Sequence, residues 1–451
     1  MAGIPWDDIK FEEYLRFRPF DLLPAAGLFF SGDGLSAHLG EKIPHEDLVA
    51  PFVSVELTPD LTSAGWTAGL EALTTRIAAT YDPSAGEVRI AARYRDDDVI
   101  LANRFCTFPE GTSGTVTITE NVVTVWTLHA ATWRPVLTHR LDPELGIDLR
   151  KKDQLSEYRL FYRGDFKQVR AGYFGYVGLR DPQLIRKVDG EAVAAGSRKF
   201  FTATCAGPGF FQTAHWGVFS IDLHDPGSIC LESLLFFQRD GLLLGDHAGF
   251  VIQESPGSYL IGVSSWGDFD RNVHIRRCQA KDDVLVGVHS LPSSRWAVPT
   301  TAASWDPSLF RHAGVWWLSF VECLKYEPRF VFRPVLAKAG FGAPWHSVLD
   351  RVGADTVHEQ TEGTLLTPLR DHLYLLASDG DARDYPIYDL TMDRIGSLRA
   401  PYGSNIPHPL IMESNEDFIM LTFDGTDYNE TELGYGTHGD ILIYRSAKAE
   451  T

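Results

Sequence analysis

The sequence predicts an all-β protein: a five-bladed β-propeller over residues 156–451, preceded over residues 1–155 by a mostly-β, sandwich-like domain. Three observations predict it. A helical period of 3.6 is scarce beyond residues 6–17, whereas short alternating or apolar runs divided by Gly, Pro, Asp and Asn recur from about residue 85 to the end. The 451 residues, 44% of them hydrophobic, exceed one ordinary domain and can bury a large core. A repeat of blade size fills the chain beyond residue 155.

In chain order, GEVRIAARY, GTVTITENVVTVWTLHA and WRPVLTHRL read as strands of the first unit, and the charged stretch LDPELGIDLRKKDQ (residues 141–154) reads as its exit linker. The repeat follows. RDPQLIRKVDG with RKFFTATCA, GDHAGFVIQESPGSYLIGVSS, WDPSLFRHAGVWWLSFVE, TEGTLLTPLRDHLYLLASDG and IPHPLIMESNEDFIMLTFDG each combine a polar head, an apolar strand, a turn and a second apolar strand. With Asp181, Asp246, Asp306, Glu362 and His408 as heads, the spacings are 65, 60, 56 and 46 residues, which suit four-stranded blades with some longer loops. The competing architecture is a run of unrelated hairpins in one large sandwich.

Charge narrows the partners. Lys and Arg number 41 against 60 Asp and Glu, a net charge of −19 that repels phosphate backbones and anionic membrane surfaces, so neither nucleic acid nor membrane is expected as a partner. Aromatics reach 12%, with 11 Trp, and stacking on sugar rings is one outlet for that excess beyond an aromatic core. Five scattered cysteines without a CxxC pair argue against a disulfide framework and a zinc site. The stretch MAGIPWDDIKFEEYLRFRPF carries acids where a signal peptide carries bases, and no apolar run approaches 18 residues, so a soluble, cytoplasmic protein is expected.

In a propeller the innermost strand of every blade starts at the same end of the channel, so the heads converge there. Four of these five heads are acids. Carboxylates aimed into one pocket raise one another's pKa, which is costly without a use. Glycoside hydrolysis supplies the use: one carboxylic acid protonates the leaving oxygen and a carboxylate opposite activates water.

At these positions the chain resembles glycoside hydrolase family 43, the arabinofuranosidases, xylosidases and arabinanases. WDPSLFRHAGVWWL is similar to the family's Asp-Pro-Ser-Leu-Phe motif, TEGTLLTPLRDHLYLLASDG to its Glu-Gly strand, and RDPQLIRK to its opening Asp-Pro motif. The resemblance spans roughly residues 175–445, and the motifs stand in the family's order. It implies Asp181 as general base, Asp306 as the residue that modulates and orients the acid, and Glu362 as general acid of an inverting hydrolysis of arabinofuranosyl- or xylosyl-containing oligosaccharides or glycosides. Two departures mark a distant member: Thr364 replaces the Pro that usually follows Glu-Gly, and the additional β domain precedes the propeller.

His408, between two prolines, is similar in position to the family's channel histidine, which in some members holds a water on a bound calcium. Calcium through His408 is thus the metal the resemblance implies, as a structural ion; no cofactor is required. Asp246 at the second head is expected to shape a turn or to contact substrate hydroxyls, His408 to contact substrate, and Trp216, Trp266 and Trp305 are candidate sugar platforms. Glu359, three residues before Glu362, is the decoy acid.

Two other readings compete. Arg180-Asp181-Pro182 also resembles a motif of fructan hydrolases and fructosyltransferases, and Val321-Glu322-Cys323 resembles their Glu-Cys motif. That retaining mechanism needs an Asp nucleophile heading an earlier blade, which the sequence does not show. A non-catalytic carbohydrate-binding propeller is the third, and it does not require acids at most heads.

Overall fold

The computed structural model describes residue 6 and residues 9–60, 65–94, 97–109, 111–414 and 417–448. Among these residues the strands form five propeller blades and one larger sheet. The innermost strands of the blades are Leu179–Leu184, His247–Ser255, Ala303–His312, Thr361–Leu369 and Leu410–Ser414. From each, the chain runs outward as an antiparallel meander.

Apolar residues on both faces of the blades explain the ring. A blade buried between two neighbours cannot show the polar and apolar alternation of a half-solvated sheet. Trp216 and Leu235 of the first blade pack with Val251 and Ile261 of the second. Phe250 meets Leu309 and Leu318 of the third, and Phe310 and Leu336 meet Leu366 and Leu375 of the fourth. Leu365 and Leu376 pack with Ile411 and Leu421 of the fifth, and the same cluster reaches Phe201 and Phe219 of the first. Five blades thus close on one another through continuous apolar interfaces.

The last blade is completed from the other end of the chain. Ile9–Phe17 pairs antiparallel with Asp440–Lys448 as its fourth strand, where the sequence shows helical spacing. The competing pattern is the odd-numbered set Ile9, Phe11, Leu15 and Phe17, a period of two interrupted by the exposed Glu13 and obscured by Tyr14. Phe11 is buried against the fifth blade, and removing such a ring from water is worth about 1.5–3 kcal/mol. Tertiary pairing overrides the local period here. Residues 9–17 therefore differ from the expectation that residues 1–155 form a single N-terminal unit.

The other end of that unit also lies elsewhere than expected. Arg159–Tyr173, 15 residues long, is a central strand of the ten-stranded sheet, pairing with Leu28–Lys42, Phe52–Pro59 and Trp66–Glu71. The charged stretch before it holds a short turn at Pro143–Leu145, capped by Asp142, and the helix Lys152–Glu157, both still within the N-terminal unit. Residues from strands across this sheet, among them Val55, Leu70, Ile77, Ile90, Val116, Val125 and Leu160, share one core, so the sheet folds over itself. Among the described residues no helix is long and apolar enough to cross a membrane.

Candidate active site

The site is built by the same backbone irregularity in four blades. Each of the first four innermost strands begins with a break in its ladder to the second strand, between Arg180 and Gln183, His247 and Gly249, Trp305 and Ser308, and Glu362 and Leu365. At each break one residue has positive φ: Asp181 at +53°, Ala248 at +57°, Asp306 at +50° and Gly363 at +70°. Such bulges re-aim side chains, and a non-glycine residue held there costs about 1–3 kcal/mol. The strain is stored at the channel mouth.

This register corrects the expected alignment of heads. Asp181, Ala248, Asp306 and Gly363 are equivalent, and the residues preceding them, Arg180, His247, Trp305 and Glu362, form a second equivalent set. Glu362 therefore projects from a different position of its bulge than the two aspartates do. Gly363 is required because a Cβ there would lie 2.3 Å from His408 Cδ2.

Asp181, Asp306, Glu362 and His408 line one cavity of about 420 Å³, within the usual range for small-molecule sites, roughly 300–1,000 Å³. Trp266 and Trp305 line it, joined by Phe211, Phe330, Tyr402 and Tyr435. His408 lies between the two aspartates, Nδ1 3.5 Å from Asp181 Oδ1 and Nε2 3.6 Å from Asp306 Oδ2. Asp181 and Glu362 are partly open to the cavity, whereas Asp306 is only 7% exposed.

The protonation states diverge. Burial pushes Asp181 up, but His408, Arg180 and the Thr204 hydroxyl, which donates to its Oδ2 at 2.7 Å, together hold it below the usual carboxylate range. Burial raises Glu362 to about 8, against the Trp305 indole N–H that donates to its Oε2 at 3.1 Å, and the Asp181 charge adds to the rise. Asp306 is likewise pushed up to about 8, by burial first, against the lowering effect of His408, with Glu362 and Asp181 adding to the rise. At neutral pH Asp181 is thus ionised, while Glu362 and Asp306 are carboxylic acids.

Asp306 has a positioning geometry. Its Oδ2 accepts the Gly363 amide at 3.2 Å and its backbone carbonyl accepts the Thr364 hydroxyl at 2.7 Å, tying the head of the third blade to the backbone beside Glu362. Thr364, where the resembled family has Pro, thus clamps two blades together and does not line the cavity.

Three expectations are corrected. Asp246 is fully buried in an ion pair with Arg239, Nε to Oδ2 at 2.6 Å, and accepts the Gly267 amide; it does not line the cavity, and its neighbour His247 does. Trp216 lies in the core between the first two blades, 6.1 Å from Phe237, away from the cavity. Trp305, 1% exposed, lines the cavity chiefly as the hydrogen-bond donor to Glu362 rather than as an open ring face. Two acids from the competing arguments also fall outside: Glu359 pairs with Arg329 at 3.0 Å on the surface, and Glu322 is enclosed by Arg333 at 2.9 Å and Arg351 at 2.7 Å.

Arg180, His247, Tyr435 and His438 also line the cavity. Arg180 is 3% exposed; its Nη1 donates to His438 Nε2 at 3.1 Å, while Nε and Nη2 have no hydrogen-bond partner among the described residues. His438 Nδ1 donates to the Tyr435 carbonyl at 2.8 Å, and burial together with Arg180 lowers His438 and His247 to about 3. Both imidazoles are therefore neutral, and Arg180 is the fixed positive charge beside Asp181. The sequence signal for Arg180 was its place immediately before Asp181; the others carry none.

Calcium wants six to eight oxygen ligands. Both ring nitrogens of His408 face carboxylates, and among the described residues no group of three or more His, Cys, Asp or Glu side chains is arranged to hold a metal ion. This donor set does not fit a calcium ion.

No family model and no curated protein matches the chain. Among solved structures it is similar to a family 117 glycoside hydrolase of the marine bacterium Zobellia galactanivorans, at 10% identity and TM-score 0.41, over 60% of this chain and 85% of that one. A Bacillus subtilis levansucrase is similar at 9% identity and TM-score 0.44, over 61% of this chain and 84% of that one. A family 32 β-fructofuranosidase of Bombyx mori is similar at 13% identity and TM-score 0.39, over 59% of this chain and 60% of that one.

Proposed function

We propose that the chain is a glycoside hydrolase that cleaves pentose glycosides, arabinofuranosyl or xylosyl, by single displacement with inversion. The observation that carries this reading is the opposite protonation of two acids in one aromatic-lined cavity: Asp181 held ionised, Glu362 held protonated to about pH 8. Pairs of carboxyl groups whose environments separate their pKa values mark acid and base roles.

In the proposed step Asp181 removes a proton from water as its oxygen bonds to the anomeric carbon. Glu362 gives its proton to the glycosidic oxygen as that carbon–oxygen bond breaks. The products are the free sugar and the free alcohol, with Asp181 protonated and Glu362 ionised until solvent exchanges one proton between them. Arg180 and His408 favour the ionised Asp181 at the start of each cycle. Asp306 acts through the Gly363 amide, fixing the backbone that carries Glu362. The protonation of Glu362 owes most to burial, with Asp181 the repelling charge.

The pentose assignment is supported by the family 43-like segments around Asp181, Asp306 and Glu362. The fructan reading is weakened by Glu322, which its Glu-Cys motif would place in the site and which Arg333 and Arg351 instead enclose, the hydrogen bonds outweighing burial and holding it down to about 2. A non-catalytic sugar-binding propeller gives no reason for separated protonation states.

The test is sugar release from aryl arabinofuranosides, xylosides, galactosides and fructosides at neutral pH. Turnover of an arabinofuranoside or xyloside, with the inverted anomer formed first by proton NMR, is the expected result. Turnover of fructosides alone overturns the pentose assignment, and no release from any of them overturns the enzyme reading.

A further inference from the structure

A second depression adjoins the catalytic cavity and belongs partly to the N-terminal domain. It is an open groove of about 450 Å³, walled on one side by Thr138 and Arg140 of the strand Thr132–Arg140 and on the other by Phe210 and Tyr435 of propeller loops. Tyr435 lines both the groove and the cavity, and Phe211, next to Phe210, lines the cavity. The two spaces share a wall.

The groove is held in shape by contacts that cross between the two units. Tyr428 donates its hydroxyl to the Trp133 carbonyl and Arg104 pairs with Glu432, fixing the loop that carries Tyr435 against the N-terminal sheet. The Gly436 amide donates to the Gly209 carbonyl at 2.6 Å, and a Cβ on Gly436 would lie 2.6 Å from that oxygen, so the two propeller turns meet at van der Waals limit. Phe210 and Tyr435, their ring centroids 5.7 Å apart, nevertheless remain 39% and 40% exposed. Large rings held in place but left uncovered beside a sugar-sized cavity have faces available for stacking. Beside them Gln212 lines the groove, and Arg140, paired with Glu120 at 2.7 Å, adds fixed donors.

We propose that this groove is a distal sugar subsite and that the N-terminal domain thereby forms part of the substrate-binding surface. Resting on the glycosidase reading, the inference makes the preferred substrate an oligosaccharide. Its terminal sugar occupies the catalytic cavity, and its following units cross Tyr435 onto Phe210, Thr138 and Arg140. Aromatic rings take the apolar sugar faces, while Thr138 and Arg140 take hydroxyls.

The experiment compares arabino-, xylo- and fructo-oligosaccharides of two to five units, by kcat/KM on the wild-type protein and by calorimetric binding to Glu362→Gln. Longer oligomers are expected to gain through KM rather than kcat. In Thr138→Trp, which fills the groove from the N-terminal side, and in Phe210→Ala, which removes the ring, the ratio of long-chain to short-chain kcat/KM falls about five- to tenfold, the loss of one stacking contact. An unchanged ratio in both variants, or no gain with length in turnover and binding alike, overturns the proposal. If the wild-type protein turns over nothing, the glycosidase reading fails while the binding series still decides the groove: a length gain abolished by Thr138→Trp supports it, and none contradicts it.

Discussion

Glu362→Gln is expected to lower kcat by about 10²–10⁴-fold on glycosides with a poor leaving group, the usual contribution of a general acid. On a dinitrophenyl glycoside, whose leaving group needs no proton, the loss shrinks to within about tenfold, because only the proton donor is missing. Parallel kinetics on the two substrates check this. The same substitution is expected to stabilise the fold. Glu362 is raised to about 8 in the folded state from an ordinary value near 4.5, so its stability contribution is fully present below about pH 4.5 and is lost as pH rises through 8. Gln removes that loss. The variant's advantage in thermal unfolding grows from pH 4.5 to 8 and then levels, at an order of a few kcal/mol.

Asp181→Asn is expected to cost a similar 10²–10⁴-fold in kcat, with no relief from a better leaving group, since water still lacks its base. Its stability effect has the opposite sign. Asp181 is held below the usual carboxylate range by His408, Arg180 and Thr204, so its contribution is present above the unfolded value and lost as pH falls through the folded one. Asn leaves Arg180, which is 3% exposed, without its negative neighbour, and at neutral pH the variant unfolds at a lower temperature than the parent. A stabilising loss of function at Glu362 beside a destabilising one at Asp181 separates a built acid–base pair from two interchangeable surface acids.

The parts of this arrangement that were legible in the sequence are those written within one strand. Asp306 was marked by its following Pro-Ser-Leu-Phe and Glu362 by the apolar strand behind it, and both line the cavity. The one-residue bulge was not legible. It makes Glu362 equivalent to Arg180 and Trp305 rather than to the aspartates, and it carries His247, not Asp246, into the cavity. A strand's faces alternate with period two, so a single inserted residue reverses which side chain points inward. Asp246 shows the consequence: acidic, at the right spacing, and committed to Arg239. Trp216 shows a second limit, since a tryptophan in an aromatic-rich blade is more often core than platform. Ile9–Phe17 and the loop bearing Tyr435 and His438 show a third. Their partners are hundreds of residues away, and no local pattern reports such pairing.

The pH dependence of kcat/KM tests the central claim most directly, because it reads both groups in the free protein at once. A plateau is expected, bounded below by Asp181 under the usual carboxylate range and above by the Glu362 and Asp306 pair near pH 8. Activity that falls through pH 4–5 on the alkaline side, or that keeps rising beyond pH 8, contradicts an ionised Asp181 working opposite a protonated Glu362.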